Sequence, residues 1–308
     1  MPVIEIANLT KDYQVGFFRK RTVRALDDLS LSVDAGQIFG FLGANGAGKT
    51  TTLKLLMRLI FPTSGTARIL DRDIQDVRMH DRIGYLPENP YFYDYLTARE
   101  FLEYCAEIFG YHSAERKKRA ADLLARVKLE EKKWDTQLRK FSKGMLQRVG
   151  LAQSLINDPE IVFLDEPMSG LDPGGRREVR DLIASLREDG KTVFMCSHIL
   201  SDIEVLCDRV AILKRGKLAQ VGHLDELRQR TEGPNRMEIL AAGADVSALH
   251  LPNAVISATP RGIRIEISTE NEIENALAAL RKAGGIVVSI QPVKQSLEEL
   301  FLDNSESR

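Results

Sequence analysis

Residues 43–50 read Gly43-Ala44-Asn45-Gly46-Ala47-Gly48-Lys49-Thr50, and they directly follow an apolar run from Gln37 to Leu42. The spacing fits Gly-x4-Gly-Lys-Thr, a loop whose backbone N–H groups surround phosphate groups. Apolar residues recur at helical spacing from Lys49 to Ile60, which predicts a helix with one buried face after the loop. We expect Lys49 to reach the β- and γ-phosphates of a nucleotide and the Thr50 hydroxyl to bind Mg²⁺.

A pair of acids stands at the end of a second apolar run. The residues from Ile161 to Leu164 predict a fully buried strand, and Asp165 and Glu166 follow it. At the exposed tip of such a strand, Asp165 can bind Mg²⁺ directly or through water, and Glu166 can polarise an attacking water as a general base. Acids after a strand are more often a helix cap or a solvated end, but the phosphate loop in the same chain favours the catalytic interpretation.

Two further polar residues complete the series of candidate site residues. Ser142 begins a helix that is predicted to end before Asp158, and its hydroxyl and the helix amides would form a second anion site. His198 follows the predicted buried strand from Val193 to Cys196. A histidine at a strand end is commonly structural, but its position after the other motifs favours a functional role.

Composition excludes several classes of protein. The 308 residues suggest about two domains. The chain has 43 basic and 44 acidic residues and a net charge of −1, so it does not coat nucleic acid by bulk charge, and no nucleic-acid partner is expected. The three cysteines are too widely spaced for a disulfide framework or a zinc pattern, which favours a reducing cytosol. No signal peptide opens the sequence and no apolar run approaches the roughly 18 residues that span a bilayer, so action at a membrane would need a partner.

The order of strand and helix patterns divides the chain. Strands alternate with helices over about the first 220 residues, which predicts an α/β domain with a largely parallel sheet. Short strands are predicted at Val3–Ile6 and 25–33. Within the helical middle segment, Thr97 starts a capped helix whose buried face is predicted to carry Phe101, Cys105 and Ile108. After residue 235, strands around residues 263–267 and 286–290 flank a helix, which predicts a small α+β domain.

The motifs and their order resemble the nucleotide-binding subunit of ATP-binding cassette (ABC) transporters over nearly all of residues 1–222. The resemblance implies a P-loop NTPase fold with a helical subdomain at about 88–160. It implies that Asp165 binds the metal ion, that Glu166 is the catalytic carboxylate, and that His198 contacts the γ-phosphate. The residues implied to bind ATP are Tyr13, which would stack on adenine, Gly43, Ala44, Asn45, Gly46, Ala47, Gly48, Lys49, Thr50, Thr51, Ser142 and Gly144.

Two positions depart from the common pattern of the family. The signature, commonly Leu-Ser-Gly-Gly-Gln, is Phe-Ser-Lys-Gly-Met at 141–145, which keeps Ser142 and Gly144 and adds the cation of Lys143. Glu88 stands where a glutamine is common, and its carboxylate is predicted to meet Mg²⁺ or water. Both departures resemble the drug, sodium and polysaccharide-related exporters. The tail at 296–302 also resembles that subfamily, although an ordinary capped helix is the alternative.

The resemblance implies an ATP-hydrolysing subunit of a membrane exporter that uses ATP and Mg²⁺. Two such subunits, expected to be identical, would close head to tail around two ATP molecules, and a separate membrane-spanning subunit would hold them at the cytoplasmic face of the cell membrane. Residues 1–230 would form the ATPase domain, 231–235 a linker, and 236–308 a regulatory or dimerisation domain. An importer ATPase and a soluble ABC ATPase without transport function are the alternatives; retention of Glu166 and His198 argues against a non-catalytic regulator.

Two surface segments keep two interpretations each. The segment from Gly16 to Arg24 carries four positive charges and no acid, and it is either a solvated hairpin loop or a contact for phospholipid headgroups or a partner. The aromatic residues at 91, 92, 93 and 95 form either a local core cluster or a groove for a helix of a membrane partner.

Overall fold

The chain divides into two units, Met1–Leu224 and Asp225–Arg308. The computed structural model describes residues 1–16, 20–231, 237–243, 249, 251, 254–259, 262–267 and 270–292. The division falls near the start of the helix Leu224–Thr231, slightly before the domain end predicted at residue 230. The predicted linker lies almost wholly outside the described residues, and the tail at 296–302 lies entirely outside them.

The first unit contains two sheets and the helices that connect their strands. Its strands are β1 (Pro2–Val15), β2 (Arg21–Asp34), β3 (Ile38–Leu42), β4 (Ser64–Ile69), β5 (Arg72–Asp73), β6 (Ile83–Leu86), β7 (Ile161–Asp165), β8 (Thr192–Ser197), β9 (Arg209–Lys214) and β10 (Lys217–His223). Its helices are α1 (Lys49–Leu56), α2 (Ala98–Ile108), α3 (Ser113–Arg126), α4 (Lys143–Ser154), α5 (Pro173–Glu188) and α6 (Leu200–Leu206), and α7 (Leu224–Thr231) begins at its last residue.

The central sheet of the first unit is mostly parallel, as predicted. Its order is β10-β9-β3-β8-β7-β6, and β10 alone runs antiparallel to its neighbour. Every residue of β3, β7 and β8 is buried, which explains why these strands read as continuous apolar runs rather than alternating ones. The rings of Phe39 and Phe163 lie 5.5 and 5.7 Å from that of Phe194, so the three strands share an aromatic core.

The position of the site follows from this strand order. Since β3, β8 and β7 are adjacent and parallel, the segments after them meet at one edge of the sheet. Two backbone hydrogen bonds join these segments. The Gly43 N–H donates to the Ser197 carbonyl at 3.4 Å, and the Glu166 N–H donates to the Cys196 carbonyl at 3.0 Å.

The antiparallel sheet, of order β2-β1-β4-β5, has much longer strands than predicted. β1 and β2 each span 14 residues and pair from Pro2–Asp34 to Val15–Arg21. The polar residues in their outer halves predict a loop from the sequence. In the structure these halves are paired strands, and Nε of Arg24 on β2 lies 2.9 Å from Oδ1 of Asp12 on β1. Arg21 and Arg24 of the predicted basic loop are therefore strand residues, and residues 17–19 lie outside the described residues.

Two helix predictions need correction. The helix predicted to reach Ile60 ends at Leu56, because Arg58 adopts a left-handed backbone with φ of +53°. Thr97 does form the predicted capping box with Glu100, and Phe101 and Cys105 are buried. Ile108 is 66% exposed, so its assignment to the buried face was wrong. It is the last residue of α2, beyond the part of the helix that packs on the core.

The second unit is the small α+β domain that the sequence predicts. Its elements after α7 are β11 (Met237–Ala242), β12 (Val255–Thr259), β13 (Gly262–Ile267), α8 (Glu270–Lys282) and β14 (Ile286–Pro292). The strands form an antiparallel sheet of order β12-β13-β11-β14. The buried residues of its core are Ile239, Ala241, Leu249, Ile263, Ile265, Ile267, Ala276 and Leu280.

Candidate nucleotide-binding site

The phosphate loop joins β3 to α1 at the shared edge of the central sheet. Gly46 and Gly48 adopt φ of +81° and +112°. A Cβ on Gly48 would lie 2.7 Å from the Ala25 carbonyl oxygen, so only glycine fits there. No side chain caps α1, whose first N–H groups are therefore open to an anion. The loop has the conformation that its sequence predicts for binding phosphate groups.

Lys49 links the phosphate loop to the acid pair. Its side chain is 6% exposed, and its Nζ donates to the Gly43 carbonyl at 2.6 Å. The same Nζ lies 3.4 Å from Oε1 of Glu166. The ammonium group therefore lies between the mouth of the loop and the predicted catalytic carboxylate, where it can bind a phosphate oxygen.

Glu166 is held by contacts on both of its carboxylate oxygens. Its Oε2 lies 2.9 Å from Nδ1 of His198, while Oε1 faces Lys49. Its backbone is left-handed, with φ of +51°, a strained conformation for a residue with a Cβ. The carboxylate is 8% exposed and the His198 side chain 42%, so the histidine lies on the solvent side. The structure thus brings Lys49, Glu166 and His198 together.

Asp165 has the properties expected of a metal ligand. It is fully buried, and neither of its carboxylate oxygens has a hydrogen-bond partner. Burial raises the pKa of this carboxyl to about 6, and the charges of Glu166 and Glu88 also raise it. The nearby Thr50 hydroxyl and the Lys49 ammonium lower the pKa. The Thr50 hydroxyl does not meet the geometry of a hydrogen bond to either carboxylate oxygen. Buried carboxylate oxygens without partners carry a desolvation cost that a cation would relieve.

A magnesium ion fits this donor set. Among the described residues no three His, Cys, Asp or Glu side chains form a cluster that could hold a metal ion alone. Mg²⁺ in nucleotide sites commonly takes one or two protein ligands and completes its shell with phosphate oxygens and waters. Asp165 and Thr50 could supply those ligands. Glu88 is exposed but close enough to act on the pKa of Asp165, in keeping with a place at the rim of the site.

Ser142 and Gly144 lie in a different place from the phosphate loop. Ser142 caps α4, since its Oγ accepts a hydrogen bond from the Met145 N–H at 3.3 Å. Ser142 and Gly144 line a cavity of about 220 Å³ together with residues that include Lys128, Lys133 and Leu171. No residue of the 43–51 segment lines this cavity. Within one chain, the signature residues are therefore not part of the Lys49–Glu166 cluster.

Tyr13 and Thr51 are the remaining predicted residues. Tyr13 lies half-exposed on β1, where it pairs with Val23 of β2, and the Lys11 ammonium lies 5.1 Å from the centre of its ring. Thr51 is half-buried in the first turn of α1. Neither residue has a contact that would assign its role.

Sequence reasoning did not assign two buried polar residues near the site. Gln147 is 3% exposed, and its amide donates to the carbonyl of Pro167, the residue after Glu166, at 2.8 Å. Asp202 is 2% exposed, with Oδ2 3.8 Å from Arg176. The available signal was their spacing, since Asp202 follows His198 by one helical turn and Gln147 lies two residues after the signature at 141–145.

An apolar groove lies beside the helical segment. Its volume is about 310 Å³, and its lining includes Leu59, Tyr85, Ile108 and Phe109. The nearby aromatic segment does not form a core cluster, since Tyr91, Tyr93 and Tyr95 are 85%, 40% and 61% exposed. Phe92 alone packs inward, with its ring 5.3 Å from that of Phe101.

Comparison with known proteins gives the same family throughout. The family model described as ABC transporter matches residues 26–169. An uncharacterized ABC transporter ATP-binding protein of Synechocystis is 44% identical over 99% of this chain and 85% of its own. The bacitracin transport ATP-binding protein of Bacillus licheniformis is 42% identical over 74% of this chain and 72% of its own. The linearmycin resistance ATP-binding protein of Bacillus subtilis is 30% identical over 98% and 97%.

Solved structures agree with the sequence relatives. A dimeric ATP-binding cassette in a post-hydrolysis state, bound to ADP and Pi, covers 72% of this chain and 98% of its own, with 28% identity and a TM-score of 0.67. In the described residues, no helix is both long and apolar enough to cross a membrane. With the phosphate loop, the Asp165–Glu166 pair and relatives of this similarity, the chain belongs to the ABC transporter family, as an ATP-binding subunit that hydrolyses ATP.

Proposed function

We propose that this chain powers an exporter, and that ATP with Mg²⁺ binds between the phosphate loop and the Asp165–Glu166 pair. The observation that carries the proposal is the cluster in which Lys49 and His198 contact the two oxygens of Glu166, beside an Asp165 carboxylate without partners. Few structural roles would leave a fully buried carboxylate unpaired next to a second acid.

The residues divide the chemistry of hydrolysis between them. The loop amides and Lys49 bind the β- and γ-phosphates. Glu166 accepts a proton from the attacking water, and the contact between its Oε2 and His198 orients the carboxylate and brings the imidazole to the γ-phosphate. Asp165 and Thr50 would hold Mg²⁺, which when bound would neutralise charge at the phosphates. Glu88 contributes at the rim of the metal site.

A second copy of the chain completes each site. Ser142 and Gly144 line a surface cavity apart from the phosphate loop of their own chain, which supports a role toward the ATP of the other copy. The ADP-bound cassette that this chain resembles is dimeric. Closure of the homodimer around ATP drives the membrane subunit, and hydrolysis with product release reopens it.

The membrane-spanning subunit docks at the apolar groove and the aromatic segment. Ile108 and Phe109 line the groove, and these two side chains and Tyr91 are exposed. Protein interfaces favour aromatic and apolar side chains of this kind at their centre. Through this contact the chain is held at the cytoplasmic face of the cell membrane.

Export is favoured over import by the named relatives. Two relatives are named for bacitracin transport and linearmycin resistance, and removal of a toxic compound is the transport direction that gives resistance. The test uses inside-out membrane vesicles that contain the chain and its membrane subunit. Outside ATP should drive uptake of the transported compound with the wild-type chain and not with Glu166→Gln. ATP-dependent uptake only into right-side-out vesicles would make the chain an importer subunit, and hydrolysis without any membrane subunit in the complex would favour the soluble alternative.

A further inference from the structure

The ring of Tyr13 lies on a part of β1 that the hydrophobic core does not cover. The core of the first unit takes Ile4, Ile6 and Leu9 from β1 and no residue of that strand beyond Leu9. Tyr13 is half-exposed, and Val23, its partner on β2, is 41% exposed. Core packing therefore does not fix the orientation of the ring.

Lys11 contacts the ring from the same strand. The two residues are two positions apart on β1, the spacing at which side chains share a face of the strand. The Lys11 ammonium lies over the Tyr13 ring, 5.1 Å from its centre, which is within the range of a cation–π interaction. The same ammonium donates a hydrogen bond to the Phe61 carbonyl at 2.7 Å. It is therefore held at a defined point over one face of the ring.

The carbonyl that holds Lys11 is itself fixed to β1. The Thr63 N–H donates to the Thr10 carbonyl at 2.8 Å, and the Asp12 N–H donates to the Thr63 hydroxyl at 2.9 Å. These bonds join β1 to the segment after α1, the helix that begins at the phosphate loop. The lysine is thus anchored on backbone that two further hydrogen bonds hold in place.

No carboxylate draws the Lys11 ammonium away from the ring. Asp12 is the acid next to it in sequence, but its two carboxylate oxygens accept hydrogen bonds from Arg24 at 2.9 and 3.2 Å. In the described part of the chain, the ammonium has the contacts to the ring and to the Phe61 carbonyl and no ion pair. The charge of Lys11 is therefore directed to Tyr13.

We propose that Lys11 is a positioning residue for nucleobase recognition, which holds the Tyr13 ring so that its opposite face stacks on the adenine of ATP. This proposal rests on the proposed function, in which ATP binds at the phosphate loop, and on the expected stacking of adenine on Tyr13. A ring that is already oriented loses less conformational freedom when the base binds. Lys11 therefore tightens the binding of ATP without contacting it.

Binding measurements on the full-length protein separate the base from the phosphates. Calorimetry compares Mg²⁺ with ATP against Mg²⁺ with tripolyphosphate, which has no base. Lys11→Met removes the ammonium but keeps an unbranched chain, and it should weaken ATP about threefold to fivefold and change tripolyphosphate by less than about 1.5-fold. Lys11→Arg should bind like the wild type, since a guanidinium can also stack on an aromatic ring. Lys54→Met, which changes an exposed lysine of α1, is the matched control.

A double-mutant cycle tests whether the lysine acts through the ring. Tyr13→Leu should weaken ATP about tenfold, the size of a lost base–aromatic stack. Adding Lys11→Met to Tyr13→Leu should cause no further loss. In hydrolysis assays, Lys11→Met should raise KM in proportion to the loss of affinity and keep kcat within about twofold, because the lysine affects binding and not the chemical step.

Fluorine NMR observes the contact without nucleotide. The full-length protein has seven tyrosines, and in protein labelled with fluorotyrosine the Tyr13 signal is the one that Tyr13→Phe removes. Lys11→Met should shift this signal and leave the other tyrosine signals unchanged. An unshifted Tyr13 signal would overturn the proposal.

The binding data can overturn the proposal in three further ways. Equal losses for ATP and tripolyphosphate in Lys11→Met would show that the lysine does not act on the base. A full effect of Lys11→Met in the Tyr13→Leu background would show that it does not act through the ring. Tighter ATP binding by Lys11→Met would mean that the ammonium blocks the stacking face. A wild-type protein that binds neither ATP nor tripolyphosphate would instead contradict the proposed function itself.

Discussion

At the scale of single residues, Glu166 is the side chain on which the proposed chemistry depends. Glu166→Gln keeps the size of the side chain and its place beside His198 but removes the acceptor for the proton of the attacking water. We expect ATP binding to persist and hydrolysis, measured as phosphate release, to fall by about 10²–10⁴-fold, the usual contribution of a general base. The variant should also accumulate as an ATP-bound dimer. Near-normal turnover would move the role of the base to another residue, with His198 the next candidate.

Asp165 gives a prediction about stability instead of rate. Its buried carboxylate has a raised pKa, so the folded protein loses stability as the carboxyl ionises, between about pH 4 and pH 6. Asp165→Asn removes that charge at nearly constant volume. In thermal unfolding without nucleotide, and with a chelator present, the variant should be more stable than the wild type above pH 6, by up to about 3 kcal/mol, and the difference should vanish near pH 4.

The same variant tests the metal assignment. Mg²⁺ with ATP should raise the melting temperature of the wild type more than ATP alone does, because a ligand that binds only the folded state stabilises it. In Asp165→Asn the extra rise from Mg²⁺ should be lost. A wild-type response to Mg²⁺ in this variant would exclude Asp165 as its ligand.

At the scale of helices and strands, α4 presents Ser142 at its N-terminal end. Ser142→Arg would place bulk and charge where the γ-phosphate of the second copy is proposed to bind. The hydroxyl caps the helix through a 3.3 Å bond, so some loss of stability, about 1 kcal/mol, should accompany the change. ATP binding to the isolated subunit should survive, and ATP-dependent dimerisation, followed by light scattering, should fail. Ser142→Ala is the matched comparison, since it removes the hydroxyl without adding bulk or charge; dimerisation lost equally in both would mean that loss of the hydroxyl, rather than the added bulk and charge, is at fault.

The second prediction at this scale concerns the groove beside α2 and the aromatic segment, where the membrane subunit is proposed to dock. Ile108→Asp and Tyr91→Ser change exposed side chains, so folding and nucleotide binding should be unchanged while assembly with the membrane subunit weakens. Central interface residues often contribute about 2 kcal/mol or more. Co-purification with the membrane subunit measures the effect. Phe92→Ser serves as a contrast, because its ring packs on Phe101 and its loss should lower the melting temperature. Normal assembly of Ile108→Asp and Tyr91→Ser would place the membrane subunit elsewhere.

Local patterns explain which elements could be predicted from the sequence. The strands β3, β7 and β8 are fully buried runs, and in the loop after β3 Gly46 and Gly48 have positive φ, a local requirement that favours glycine. The outer halves of β1 and β2 could not be predicted, because their polar residues become strands only through pairing with each other. The contact from Gln147 to Pro167 joins segments 20 residues apart and depends on packing that no local pattern contains.

At the scale of the whole molecule, each unit is built around its own core. The core of the first unit is made of residues between Ile4 and Leu213, whereas that of the second begins at Ile239. No residue predicted to bind nucleotide lies beyond His198. The second unit therefore has no expected part in hydrolysis, and a regulatory or dimer-supporting role is proposed for it.

Ending the chain at Thr231 tests this separation. The truncation keeps α7, in which Leu227 is 1% exposed, and removes the second core entirely. The remaining protein should unfold cooperatively and bind ATP with an affinity within about twofold of the full chain, since the phosphate loop, Asp165 and Glu166 all belong to the first unit. Its ATP-dependent dimer should be weaker, or its hydrolysis should no longer depend on the membrane subunit. Lys49→Ala in the same truncation is the control that removes nucleotide binding from the first unit. If the truncated chain folds, as judged by circular dichroism and its melting transition, but no longer binds ATP, part of the nucleotide site must belong to the second unit and the division of roles is wrong.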